Sequence, residues 1–355
     1  MDAAFHKDYS QMDAALRFLS DYGPELSNGF TNHAPMVSEA LSAMGRADAV
    51  MPWLEKNWPL RGALMPRARA AHEIADWKAA ALGNGDAAAW SLFFAHEMQD
   101  ARWQDVVARW TARLAPGIGA GAAHGAIRVG HAVRSLAERQ TPERLREVGD
   151  AFGYWASCYE TLPVADYSGK ALPAREAIAL APFSPGKARH ERGSFSAGLH
   201  SLHDFPGFAP VIGMLDVRGE AGETLSALTE TFTRVYLANA RDPYTVIAFI
   251  HGVTAIAAVR SLAPYLDAEQ TRAGLRYGWQ TGAALYSVYA TAKPDGHAVV
   301  APTETPEQLI AGAVETGDDH AIKFTEVALR EYALNPNPVY LAAARHAIGV
   351  LGTHD

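Results

Sequence analysis

Along most of this chain, apolar residues recur at the three- and four-residue intervals of an α-helix rather than the two-residue alternation of a strand. Between Gly222 and Ala240, the residues Leu225, Leu228, Phe232, Val235 and Tyr236 fall on one face. Asp86 precedes the run Ala87 to Met98 and suits a helix N-cap, because its carboxylate can accept from the unpaired first-turn amides. Trp103 to Leu114 continues the pattern until Pro116. Thr141-Pro142 predicts another helix start, since proline in a first turn has no hydrogen bond to lose. Thr245 to Leu262 and Ala268 to Thr291 read as helices apolar enough to be buried. Asp319 to Ala333 is amphipathic, and Asn335-Pro336-Asn337-Pro338 separates it from a last helix, Val339 to Leu351.

Strand signals are few. Val211 to Val217 and Ala298 to Ala301 are the two short candidates. Leu60 to His72 and Ala181 to Gly219 are rich in Pro, Gly, Arg and His and predict long loops that line a pocket. The expected fold is therefore all-α: one large helical domain over 1–355, with weakly repeated halves of about 1–165 and 166–355. The repeat rests on an echo. His124-Gly125 is followed by Ala132-Val133-Arg134-Ser135-Leu136, and His251-Gly252 by Ala258-Val259-Arg260-Ser261-Leu262, one residue nearer. A duplicated helical hairpin about 130 residues apart places His124 and His251 in equivalent positions, where pseudo-twofold packing can bring both to one point.

Composition narrows the function. With 49% hydrophobic and 20% charged residues, the chain has ample material for a large core. A net charge of −8 and scattered basic residues disfavour nucleic acid and anionic membrane surfaces as partners. A lone cysteine, Cys158, permits neither an intramolecular disulfide nor a cysteine-rich zinc site. Met1 to Ser20 carries Asp2, His6, Lys7, Asp8 and Asp13, unlike a signal or transit peptide. No unbroken run of about 18 apolar residues occurs, so no membrane span is expected. The expectation is a soluble cytoplasmic protein of undetermined oligomeric state.

The 14 histidines make imidazole the principal candidate ligand. His33 stands in a polar loop before Pro35, at a helix entry. His124 and His131 share one helix seven residues apart, hence one face, with Cα atoms about 10 Å apart. That span is long for a shared ion, so one can bind metal while the other meets substrate. His251 lies in the apolar run Val246 to Val253, where a buried imidazole needs a hydrogen-bond partner or a metal. His320 and Lys323 are one turn apart in Asp318-Asp319-His320-Ala321-Ile322-Lys323. Gly117-Ile118-Gly119-Ala120-Gly121-Ala122 matches a dinucleotide pattern only formally, because a helix rather than a strand precedes it. Cys158 sits among Tyr154, Trp155 and Tyr159 and reads as core.

The phrases Asn32-His33-Ala34-Pro35-Met36, His124-Gly125-Ala126-Ile127-Arg128, Gly130-His131-Ala132-Val133-Arg134, His251-Gly252-Val253-Thr254 and Asp319-His320-Ala321-Ile322-Lys323 together resemble the signature blocks of questin-oxidase-like proteins, from about residue 9 to 350. Fungal members of that family oxidatively open an anthraquinone ring. The resemblance implies a mononuclear non-haem ferrous ion held by His33, His124, His251 and His320, with Lys323 as a carboxylated lysine. His131 also matches a block and is an alternative fourth ligand. Imidazole with one anionic oxygen donor suits iron oxygenases, and a carboxylated lysine supplies that anion. Arg128, one turn beyond His124, can orient a phenolate, and Phe30, Trp155, Tyr244 and Trp279 are candidate aromatic walls. The expected activity is an oxygenase using dioxygen on a quinone or polycyclic phenol. The alternatives are an NADPH- or flavin-dependent Baeyer–Villiger monooxygenase, with NADPH as reductant, and a metal-dependent hydrolase.

Overall fold

A computed structural model of the chain describes residues 6–27, 29–56, 64–185, 194–294 and 299–352. Helices occupy 70% of it, in agreement with the all-α expectation. The segments with strong periodicity form helices close to their expected bounds: Ala87–Asp100, Trp103–Leu114, Pro142–Ser157, Ala221–Asn239, Pro243–Leu262, Ala268–Tyr289, Asp319–Leu334 and Pro338–Leu351. The caps work as the side-chain chemistry requires. Asp86 accepts from the Ala89 amide, and Thr141 from that of Arg144. Asp242 and Thr245 close a reciprocal box at the start of Pro243–Leu262. Leu225, Leu228, Phe232, Val235 and Tyr236 are all buried, each worth about 1.5–3 kcal/mol on removal from water.

Pro243–Leu262 runs through the core, packed by His124–Glu138, Ala221–Asn239 and Ala268–Tyr289. By length and apolar content, Pro243–Tyr265 could cross a bilayer, with Arg260 as its one charged residue. In the fold, 78% of its apolar window is buried in protein, the environment of a core helix. His124–Glu138 approaches it closely at Gly130, where a Cβ would lie 3.1 Å from the Cα of Ala258. The echoed hairpins are both present: His124–Glu138 with Pro142–Ser157, and Pro243–Leu262 with Ala268–Tyr289. Their echoed arginines also share one neighbour. Arg134 pairs with Glu326 at 2.5 Å and Arg260 with Glu331 at 2.9 Å, both carboxylates lying on Asp319–Leu334. That helix joins two apolar clusters. Phe324 and Val327 belong to the larger one, while Ile322, Ala328 and Leu329 pack with Ala34–Ala43 and Pro338–Leu351.

The strand expectations need correction. Val211 to Val217 is not a strand: Pro206–Gly213 forms 3₁₀ turns that include Pro210, and Leu215 makes one isolated bridge to Leu172. Proline removes a ladder donor there, and among the described residues no neighbouring strand offers a longer pairing. Ala298 lies outside the described residues, and 299–301 are irregular. The two-stranded sheet instead pairs Tyr22–Leu26 with Leu64–Pro66, antiparallel, despite the Gly23-Pro24 pair that argues against a strand. The region from Ala181 to Gly219 is more ordered than a loop. It contains the helix Phe195–His200 and the 3₁₀ turns Ser201–Asp204 and Pro206–Gly213, with 186–193 outside the described residues. Of Leu60 to His72, residues 60–63 lie outside them and 64–66 form the second strand.

Candidate metal centre

Four imidazoles from four separate helices meet at the junction of the two apolar clusters. His33 is the residue before Ala34–Ala43. Its loop is fixed by Asn32, whose Oδ1 accepts from the Ala34 amide at 3.0 Å and whose Nδ2 donates to the Gly23 carbonyl at 3.0 Å. His124 is the first residue of His124–Glu138. Ahead of it, Gly121, Ala122 and Ala123 hold φ of 55°, 54° and 68°, a left-handed turn that costs alanine roughly 1–2 kcal/mol per residue. The turn aims the Gly121 carbonyl at His124 Nδ1, 2.6 Å away. His251 lies inside Pro243–Leu262 and donates from Nδ1 to the Ile247 carbonyl at 2.7 Å, one turn back. His320 is the second residue of Asp319–Leu334, whose start Asp318 caps by accepting from the amides of His320 and Ala321.

The rings form a closed circuit. Centroid separations are 4.8 Å for His33–His124, 4.6 Å for His124–His251, 5.5 Å for His251–His320 and 4.8 Å for His320–His33. Ligand atoms of His33, His124 and His320 all lie within 4.8 Å of one another, and His251 Nε2 is 3.1 Å from His124 Nε2. Bonds of about 2.1 Å to a shared ion put neighbouring nitrogens about 3.0–3.4 Å apart, so that pair already has the spacing of co-ligands.

The outer nitrogens fix the tautomers. Carbonyl and carboxylate oxygens only accept, so Nδ1 of His33, His124 and His251 carries the proton, and Nε2 offers its lone pair inward. Asp319 serves two rings: Oδ2 accepts from His33 Nδ1 at 2.9 Å. Its Oδ1 lies 2.8 Å from His320 Nδ1, close enough for an ion pair but off the line of a ring N–H. His320 Nε2 is buried and has no hydrogen-bond partner among the described residues. Inward lone pairs 3.1 Å apart repel, and a cation between them converts the repulsion into bonding. The donor set therefore fits a transition metal of imidazole preference.

Electrostatics support the same state. Burial, reinforced by the Lys323 charge, pushes His33 down to about 3, against the pull of Asp319. His124 and His251 fall well below the ordinary imidazole value, for burial first and then for the neighbouring imidazoles and Lys323. Burial acts to raise Asp319, but His320 and His33 outweigh it and hold the carboxyl well below its usual range. At neutral pH His33, His124 and His251 are thus neutral and ready to bind metal without first shedding protons. Lys323 is 4% exposed, one turn after His320, and close enough that its charge opposes protonation of three of the rings.

The other candidates lie elsewhere. His131 Nδ1 meets Glu39 Oε2 at 2.6 Å, in a buried network where Glu39 also takes Tyr9 and Arg134. Arg128 gives Nε and a terminal nitrogen to both oxygens of Glu147, at 2.7 and 2.9 Å, so its charge is matched within the core. Trp155 and Trp279 are core rings whose indole N–H groups meet the carbonyls of Gly117 and Val211, and Phe30 is 66% exposed. Tyr244 does stand near the centre, through Phe195: the Phe195 ring lies 4.9 Å from Tyr244, 5.6 Å from Tyr289 and 5.7 Å from His251.

Sequence reasoning missed Asp319 as shared acceptor, the Gly121 carbonyl, and Phe195. An acidic residue directly before a histidine at a helix start was a readable signal for the first. The left-handed turn was hidden, because two of its three residues are alanine. In comparisons with known proteins, no family model matches this chain and no curated protein matches it.

Proposed function

We propose that this protein is a mononuclear non-haem iron oxygenase acting on a quinone or polycyclic phenol. The observation that carries the reading is the convergence of four buried imidazoles, three with Nδ1 engaged outward and the fourth with Nε2 buried and partnerless. Ferrous iron, when bound, supplies the one-electron chemistry that dioxygen requires. His33, His124, His251 and His320 would hold it. Asp319 orients His33 from behind through Oδ2, with Oδ1 turned toward His320. Lys323, one turn after His320, would supply an anionic donor: its amine adds carbon dioxide to form a C–N bond and releases a proton, which leaves a carbamate. Phe195, Tyr244 and Tyr289 form an aromatic wall beside His251 that excludes water and suits a flat ring. His131 and Arg128, set in carboxylate pairs, would support the helix that carries His124. Cys158 as a free thiol fits a cytoplasmic location.

Elemental analysis of protein purified without added metal, coupled to oxygen uptake with hydroxyanthraquinones, tests the reading. About one iron per chain and uptake without flavin absorbance are expected. Bound flavin with NADPH oxidation would replace the reading by a Baeyer–Villiger monooxygenase, and two metals per chain with no oxygen consumption by a hydrolase.

A further inference from the structure

A second group of metal-binding side chains lies on the surface, apart from the buried centre. Glu160, His200 and His203 each offer a ligand atom, all within 4.8 Å of one another. The histidines close one short helical segment: His200 ends Phe195–His200 and His203 lies in the next turn, with ring centroids 5.3 Å apart. Glu160 comes from a separate stretch after Pro142–Ser157 and reaches His200 Nδ1 at 2.5 Å. His203 Nε2 donates to the Thr161 carbonyl at 3.0 Å, which leaves Nδ1 of that ring with its lone pair. The three side chains line a cleft with Gly119, Gly121 and Leu199.

We propose that Glu160, His200 and His203 bind a divalent ion of the zinc class, and that this ion latches the 194–204 segment over the buried centre. Two imidazoles and one carboxylate, with a remaining position open to water, are a frequent zinc donor set. Tetrahedral ligands on zinc lie about 3.3 Å apart, so the trio must close by roughly 1.5 Å at most, within reach of exposed side chains by χ rotation. The divalent affinity order favours zinc over ferrous iron at such a site.

The consequence follows from what the segment carries. Phe195, at the start of the same short helix, rests against His251 and Tyr289. Gly198, in its middle, sits so close to Tyr289 that a Cβ would fall 2.0 Å from the phenol oxygen. On the other side, Gly121 lines the cleft and holds His124 through its carbonyl. An ion joining His200 and His203 to Glu160 therefore fixes the Phe195 wall and tightens access to the centre.

Zinc chloride titrated calorimetrically into wild type and into the His200→Ala/His203→Ala variant tests this, with amide exchange of 195–204 as the second readout. Both replaced side chains are exposed, so the variant should fold and keep its buried centre. Wild type should take up one zinc more than the variant, and exchange in the segment should slow at least tenfold in wild type alone. Equal zinc stoichiometry at unchanged affinity in both proteins would overturn the site, and zinc uptake without added protection would overturn the latch. The His251→Ala protein should still take up the surface ion, which separates this outcome from any failure of the iron reading.

Discussion

Asp319→Asn puts the assignment of the centre under the greatest stress. In the native arrangement both carboxylate oxygens face Nδ1 atoms, of His33 at 2.9 Å and of His320 at 2.8 Å. Asparagine preserves the shape but offers one acceptor and one donor. If the new amide N–H faces His33, that ring must move its own proton to Nε2, the nitrogen that would point at the ion, and so cease to be a ligand. If the amide oxygen faces it instead, His33 keeps an acceptor, but one without charge. An outer partner of a metal-bound histidine typically contributes 10–100-fold in affinity, and His33 is the ring hydrogen-bonded to Asp319, so the loss should be about 10–100-fold, or about 1.4–2.7 kcal/mol. Asp319 also lies in the first turn of its helix, where its charge is worth about 0.3–1 kcal/mol against the macrodipole. That smaller contribution should leave the variant folded, with near-native circular dichroism. Competition with a chelator of known iron affinity measures the first quantity, and thermal melting the second. Iron affinity within threefold of wild type would refute the tautomer argument, and with it the claim that Asp319 sets the direction of the His33 lone pair.

Lys323→Ala should lose activity, with partial recovery on addition of a short carboxylic acid; Lys323→Arg should not recover, because guanidinium stays cationic, and oxygen uptake reads both. Gly125→Ala should cost about 1–3 kcal/mol in chemical denaturation, since a Cβ there would meet Trp155 at 2.7–2.8 Å and push against the start of the helix that carries His124. Metal-free protein should weaken as pH falls below about 6.5. His33 has its folded value lowered from 6.5 to about 3, so over that window the unfolded chain binds a proton that the folded one refuses. Each such histidine contributes up to about 1.4 kcal/mol per pH unit, with His124 and His251 acting in the same direction, as urea midpoints at pH 7, 6, 5 and 4 would show. A flat midpoint over that range would contradict neutral burial of these rings.

Much of the helical framework was legible because each long helix carries its own local signals. Trp103–Leu114 starts and stops where its apolar period and Pro116 place it, and Asp86 and Thr141 cap as their side chains dictate. Tyr22–Leu26 was illegible for the opposite reason: its pairing with Leu64–Pro66 is a tertiary fact, and its own Gly-Pro pair argues against a strand. Within the centre, His251 was readable as a lone imidazole in an apolar helix. His33, His124 and His320 needed motif order as well, since each stands at a helix start where many histidines are merely solvated. The position of His131 was not readable. Seven residues from His124 put it on the same face, but only the fold shows that Glu39, on another helix, occupies its Nδ1.

Three of the four rings sit at helix starts, and this has an electrostatic consequence. His33 precedes Ala34–Ala43, His124 opens His124–Glu138, and His320 is second in Asp319–Leu334. Each start carries roughly half a positive charge from its aligned peptides. Together they oppose a divalent cation held by neutral imidazoles alone, and they favour anions beside it. Asp319, in the first turn of its helix, already stands in that field. The same field favours a carboxylated Lys323 over an ammonium, and it would favour a phenolate over a phenol in whatever ring approaches the Phe195 wall. On this reasoning the helix starts do more than place the ligands: they select the charge of every other group that enters the centre.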